Sequence, residues 1–169
     1  MRELTLGDVD ALAEVSSDPW TMRFYPHPFS RDEVVDWIER WQLSYRQNGF
    51  GLWGVELRDG GHLVGDTGLT WQDVDGDRLV EVGWHIRRDH QRKGYATEGG
   101  RASLAYGFDI LGLDRIISLI RPENEPSWRV AEKLGMRGWT ETVRSGMVHR
   151  VYLLTRGEWR AAPGASPDP

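Results

Sequence analysis

Val80-Glu-Val-Gly-Trp-His-Ile86 runs directly into Arg87-Arg-Asp-His-Gln-Arg-Lys-Gly-Tyr-Ala96 and then into Thr97-Glu-Gly-Gly-Arg-Ala-Ser-Leu-Ala-Tyr-Gly-Phe108. In the first segment Val80, Val82, Trp84 and Ile86 alternate with Glu81, Gly83 and His85, the period of two of a strand with one face buried. The last segment reads as a helix. Between them four cations, Arg87, Arg88, Arg92 and Lys93, fall within seven residues, and Gly94 stands where a Cβ would keep the backbone from a ligand. A strand, a short basic loop and a glycine at a helix start aim unpaired N–H groups and the positive helix end at one point. The combination predicts a phosphate site.

Neither G-x-x-x-x-G-K-[ST] nor G-x-G-x-x-G occurs, so nucleoside triphosphate and dinucleotide sites lack their signatures. With 169 residues the chain is expected to form one domain over residues 1–159, followed by a loose Pro/Ala/Gly-rich tail at 160–169. A hydrophobic content of 39% with 28% charged residues is that of an ordinary globule. No apolar run approaches the ~18 residues of a membrane span, and no signal-peptide core follows Met1, so a cytoplasmic protein is expected. Cysteine is absent, which excludes disulfides, thiol nucleophiles and thiolate metal sites, and no metal is expected. The net charge of -5 argues against general nucleic-acid binding and makes the basic cluster a local feature.

Working outward, Arg2-Glu-Leu-Thr5 is too short for a full strand, and Asp8 is placed to cap a helix carrying Val9, Leu12, Ala13 and Val15. Ser30-Arg-Asp-Glu33 spells a capping box, after which Val34, Trp37, Ile38, Trp41 and Tyr45 follow helical spacing. The aromatic connection from Trp20 to Phe29 is broken by Pro26 and Pro28; its rings plug the core or line a pocket. Phe50–Leu57 and Leu63–Trp71 read as strands joined at Arg58-Asp-Gly-Gly61, and Asp73-Val-Asp-Gly-Asp77 as a turn into the Val80 strand. That turn lacks the terminal Glu of a calcium loop. After the central helix, Phe108–Asp114 is a connection, Arg115–Ile120 a strand, and Asn124 the cap of a helix ending at Leu134-Gly135. Met136–Val143 and Val148–Leu154 close the chain as a hairpin.

Gln91-Arg92-Lys93-Gly94-Tyr95-Ala96, placed between strand and helix, resembles the Q/R-x-x-G-x-G/A loop of the GNAT superfamily of acyl-CoA-dependent N-acyltransferases. Asn124-Glu-Pro-Ser127 through Glu132-Lys-Leu-Gly135 resembles the N-x-x-S/A…E-K-L-G-F/M segment of the same superfamily, about thirty residues further on and in the right order. Ser127, with Glu98 at the start of the central helix, looks most like the ribosomal-protein-alanine (RimJ/RimL-type) branch. The resemblance implies an α/β (α+β) fold: a mixed, mostly antiparallel sheet of six to seven strands, splayed near its middle, flanked by about four helices. It also implies acetyl-CoA as co-substrate and a primary amine, in a small molecule or at a protein N-terminus, as acceptor. Carried onto this chain, the backbone of Trp84, His85 and Ile86 would face pantetheine, with Gly83 suited to a bulge. Gln91, Arg92, Lys93, Gly94, Tyr95, Ala96 and Thr97 would hold the pyrophosphate, and Asn124 and Ser127 would complete the cofactor site.

Acyl transfer from a thioester to an amine requires a neutral amine, a polarised carbonyl and a proton for the departing thiolate. Glu81, on the strand face opposite Val80 and Val82, is the preferred proton acceptor; His85 shares that face, and water is the third choice. The tyrosine that much of the superfamily uses for thiolate protonation is matched here by Ala131, and the resemblance offers Ser127 instead, which is equally suited to a purely capping role. The missing tyrosine keeps open a catalytically silent CoA-binding regulatory module, and an anion-binding structural protein is a third reading. Exposed strands or the final hairpin leave room for a homodimer.

Overall fold

The computed structural model describes residues 1–162. A single bridge joins Arg2 to Gly54, all that exists of the short N-terminal strand. A 3-10 turn at Leu6–Asp8 leads into α1, Val9–Ser16. Asp8 does not cap α1 as expected. Its carboxylate accepts the Thr5 N–H at 2.8 Å and is gripped by the Arg2 guanidinium at 2.7 Å, so it closes the preceding turn instead. Helix α2, Arg31–Asn48, starts on the expected capping box: the Glu33 N–H donates to Ser30 Oγ at 3.2 Å and the Ser30 N–H to the Glu33 carboxylate at 2.7 Å. It stops at Gly49, whose φ of 74° ends the helix in the left-handed region.

Six strands form one sheet: β1 Leu52–Glu56, β2 Leu63–Val74, β3 Asp77–Ile86, β4 Arg115–Ile120, β5 Arg137–Arg144 and β6 Met147–Thr155. Their order is β1-β2-β3-β4-β6-β5, antiparallel except for the β3–β4 pair. Two-residue turns at Asp75-Gly76 (φ 53° and 91°) and Ser145-Gly146 (φ 49° and 73°) make the tight hairpins, since both central residues need positive φ for the turn to follow the strand twist. The β2–β3 register runs unshifted past Gly83, so the bulge expected there is absent; β1 shifts at Val55/Glu56 and β5 at Gly138/Thr140.

Helices α3, Tyr95–Ala105, and α4, Glu125–Lys133, cover one face, where Leu69, Val80 and Val82 pack with Leu104, Phe108, Ala131 and Leu134. Helices α1 and α2 cover the other, on Leu52 and Leu63. The central helix does not run unbroken to Phe108. A π-helical turn at Tyr106–Ile110 finishes it and turns Phe108 into the core, at 1% exposure. A fifth helix, α5 at Arg156–Ala161, was not expected; Thr155 and Glu158 cap it reciprocally, and Trp159 stacks on Phe108. It reaches two residues into the expected tail, while residues 163–169 lie outside the described part. No described helix is long and apolar enough to cross a membrane.

The sheet is tightest at Gly68, where an added Cβ would lie 2.0 Å from the Gly51 carbonyl oxygen and 2.8 Å from Leu52 Cα. Backbone atoms cannot rotate away, so Gly68→Ala is expected to destabilise the fold by about 3 kcal/mol. Urea unfolding of the two proteins measures it, and a loss under about 1 kcal/mol would show that β1 shifts freely.

Candidate active site

The site begins where the parallel pair fails. Glu81 opposite Ile117 is the last match between β3 and β4; beyond it β4 pairs only with β6. The Arg87 N–H donates to the Val64 carbonyl at 2.8 Å, and antiparallel bonding alternates from there. The amides of His85 and Gly83 therefore turn towards β2, and those of Val82, Trp84 and Ile86 turn towards the gap. Glu81 bridges the fork: one carboxylate oxygen accepts the Leu119 N–H of β4 at 2.9 Å, the other the Gln72 side-chain amide of β2 at 2.6 Å. Burial pushes this carboxyl above the ordinary glutamate range, and the two hydrogen bonds only partly oppose it.

At the open end of the fork, Gly94 (φ 95°) caps α3 without any side-chain bond, and Arg92 takes φ 63°. Among the described residues, the N–H groups of residues 92–97 have no acceptor within hydrogen-bond reach, and a Cβ on Gly94 would meet nothing within 4 Å. This is an open, amide-lined hollow on the positive end of an eleven-residue helix. The four cations divide. Arg87 is held by Glu14 at 2.7 Å and Asp89 at 2.8 Å, and Arg88 lies 4.9 Å over the Trp20 ring. Arg92 and Lys93 are exposed and pair with no described carboxylate. Gln91 turns inward and donates to the Ile86 carbonyl at 2.9 Å.

Across the fork, Asn124 caps α4, its side-chain oxygen accepting the Ser127 N–H at 3.3 Å. Ser127 is half-buried and its hydroxyl has no described partner, whereas Ala131 is sealed in the core at 0% exposure. On the α1–α2 side of β3, Glu81, Gly83 and His85 share one face, and open space lies beside Gly83, between the other two. His85 Nδ1 is 2.6 Å from Asp66, its cross-strand neighbour, and Nε2 is 2.5 Å from the Tyr25 hydroxyl. Asp66 is 1% exposed, and its second oxygen accepts the Trp37 indole N–H at 3.2 Å. Burial alone would favour a neutral imidazole. The contacts with Tyr25 and Asp66 outweigh it and hold His85 well above the ordinary histidine range.

Residues 1–137 match the acetyltransferase (GNAT) domain family. The chain belongs to the GNAT acetyltransferase family. Its relatives include the uncharacterized N-acetyltransferase YnaD of Bacillus subtilis, 33% identical over 81% of this chain and 78% of that one. A putative ribosomal-protein-serine acetyltransferase from Vibrio cholerae shares the fold at TM-score 0.76, with 23% identity over 91% of each chain. So does a spermidine N-acetyltransferase from Vibrio cholerae, solved with CoA and spermine, at TM-score 0.72 and 22% identity over 93% of this chain and 95% of that one. The GNAT acetyltransferases are acyltransferases and use acetyl-CoA, and the fork with its amide-lined hollow has the open shape that such a donor needs.

In this GNAT acetyltransferase the structure brings Trp84, Ile86, Gln91, residues 92–97, Asn124 and Ser127 to the two banks of one fork. The His85 amide is turned away from it. Two polar residues escaped the sequence reading, Tyr25 and Asp66. Asp66 carried a signal, a carboxylate in the middle of an otherwise uncharged strand, Leu63–Trp71. Tyr25 had only its place among the loop aromatics, which divide in the structure: Met22 is buried and Phe29 packs on Trp37, while Trp20 and Tyr25 face outward at 47% and 40% exposure.

A histidine whose folded proton affinity is raised binds more protons in the folded chain than in the unfolded one between the two midpoints. The stability it contributes is complete below the unfolded value of about 6.5 and is lost as pH rises through the folded value. The stability advantage of wild type over His85→Gln is therefore expected to be full below about pH 6.5 and to shrink as pH rises through the raised folded-state midpoint in urea titrations, and a constant difference would contradict a protonated His85.

Proposed function

We propose that the protein transfers an acetyl group from acetyl-CoA to a primary amine, by direct attack in a ternary complex. The observation that carries this reading is that β3 runs from its parting with β4 directly into the unpartnered N–H groups of residues 92–97, an anion seat at the positive end of α3. In it, residues 92–97 hold the pyrophosphate, the outward amides of Val82, Trp84 and Ile86 line the pantetheine path, and Asn124 closes the far bank. Bound there, acetyl-CoA supplies the activated thioester. No cysteine exists to take the acyl group, which favours direct transfer.

Glu81 sits at the apex of the fork with a raised proton affinity, its carboxylate held by the Leu119 amide and the Gln72 side chain, and the amine's proton passes to a base on this face of β3. Ser127, with its free hydroxyl one turn into α4, donates a proton to the leaving thiolate. The acceptor enters from the α1–α2 side, beside Gly83. The fold neighbours act on a polyamine and on a ribosomal protein, by their names, and both offer primary amines; the RimJ/RimL-like kinship is part of this proposal. The exposed loop residues Trp20 and Tyr25 overhang the acceptor entrance. We place the enzyme in the cytoplasm, acting without a metal.

Isothermal titration with acetyl-CoA, followed by thiol release with spermidine and with peptides bearing a free N-terminal alanine or serine, tests the reading. Gly94→Glu is expected to abolish acetyl-CoA binding, because a carboxylate would enter the anion seat and φ 95° strains any side chain. Ser127→Ala is expected to lower kcat about tenfold or more while leaving the acetyl-CoA affinity nearly unchanged. Absence of acetyl-CoA binding by the wild type would overturn the proposal. Binding without turnover of any amine would favour a silent CoA-binding module.

A further inference from the structure

Resting on that acetyltransferase reading, we infer that Tyr25 takes the proton from the acceptor amine and that His85 and Asp66 relay and neutralise it. Three groups stand in one line: the Tyr25 hydroxyl 2.5 Å from His85 Nε2, and His85 Nδ1 2.6 Å from Asp66. The line runs from surface to interior. Tyr25 is 40% exposed, His85 is mostly covered, and Asp66 is 1% exposed, with Trp37 bonded to its other oxygen. Beside the imidazole lies a small cavity of about 10 Å³, lined mainly by Leu12, Val15, Met22 and Phe29 with Ser16 and Trp37, so the most exposed member of the line is Tyr25.

The space beside Gly83 places an acceptor between Glu81 and His85. Both oxygens of Glu81 already accept a bond, from the Leu119 amide and from Gln72, so the carboxylate is committed to holding the fork and each bond lowers its basicity towards an acceptor's proton. The Tyr25 oxygen is bonded to His85 alone among the described residues. The basic form arises as pH rises through the raised midpoint of His85, and in it one proton is shared between the Tyr25 oxygen and His85 Nε2. The phenolic oxygen takes a proton from the acceptor's ammonium group as its own proton passes to, or already rests on, Nε2. What results is a neutral amine, an intact phenol and an imidazolium ion against the Asp66 carboxylate. The charged and titratable groups that face His85 are Tyr25 from the loop before α2, Asp66 from β2 and Glu81 on β3 itself. Helices α1 and α2 contribute only uncharged side chains there, Leu12, Val15, Ser16 and Trp37.

Tyr25 would thus be a catalytic residue, His85 and Asp66 positioning residues. The test compares thiol release by wild type, Tyr25→Phe, His85→Gln and Asp66→Asn with two kinds of amine. Spermidine and an N-terminal alanine peptide arrive protonated; trifluoroethylamine is already neutral near pH 7 and needs no base before attack. Tyr25→Phe is expected to lose about a hundredfold in kcat/KM with the protonated amines and under about threefold with trifluoroethylamine, at unchanged KM for acetyl-CoA. Asp66→Asn is expected to move the rising limb of the kcat/KM pH profile with the protonated amines to lower pH by about one unit, because the imidazolium loses its counter-charge. A structural role would instead lower both amine classes alike, and equal losses, or none, overturn the relay while acetyl-CoA binding leaves the acetyltransferase reading standing. Should no probe amine be acetylated, the 15N-NMR titration of His85 decides: a midpoint unmoved by Tyr25→Phe overturns the inference, and a shifted one supports a shared proton. A wild type that fails to bind acetyl-CoA removes the reading beneath it as well.

Discussion

The Glu81 carboxylate on the Leu119 amide is the contact on which the architecture turns. A parallel strand pair that parts in mid-sheet leaves N–H groups without ladder partners, and buried N–H groups left unbonded cost about 1–3 kcal/mol each. Here the first orphan on the β4 side receives a carboxylate oxygen. The charge is itself steadied by Gln72, which Arg144 in turn bonds. The fork can therefore begin at Glu81 and Ile117 without a collapse of the neighbouring ladder, and everything the site needs follows along the gap it opens.

On the β3 side the outward amides are left for a ligand, and the strand leads them straight into the hollow before α3. The helix approaches closely enough to aim that hollow because Gly99 faces Thr67, where a Cβ would lie 2.5 Å from its methyl group. One strand thus serves two surfaces. Its even residues pack Val80 and Val82 into the core beneath α3; its odd residues present Glu81, an empty place at Gly83, and His85 to the opposite side. The strand's period of two separates the packed face under α3 from the open face at Gly83 by a single residue step.

Much of this was legible in the chain. The alternation from Val80 to Ile86 predicted the strand, the Ser30 capping box predicted the start of α2, and the turn at Asp73–Asp77 predicted the β2–β3 hairpin, because each is a short-range signal. The acyltransferase class followed from two motifs whose spacing reflects one ligand. What stayed hidden depends on contacts distant in sequence. The Thr155–Glu158 box was spelled plainly, yet so short a helix is fixed by Trp159 docking on Phe108 more than by its own residues. The Asp66–His85 pair joins residues 19 apart, and Tyr25 reaches His85 across 60, so only the register of β2 on β3 and the path of a proline-broken loop reveal them. Glu81 carried no hint that its two oxygens would be taken.

Trp20 ties the two halves of the site together. Its ring lies between the Arg23 guanidinium, 4.2 Å from the centroid, and that of Arg88, 4.9 Å away at the edge of the anion hollow. A cation held against an aromatic face adds attraction of about 1 kcal/mol. The loop that bears Tyr25 is thereby fastened to the segment that leads into the hollow, and any anion that draws Arg88 off the indole slackens that loop. Linkage makes the effect mutual: whatever pins the loop alters the affinity of the hollow for an anion by the same factor.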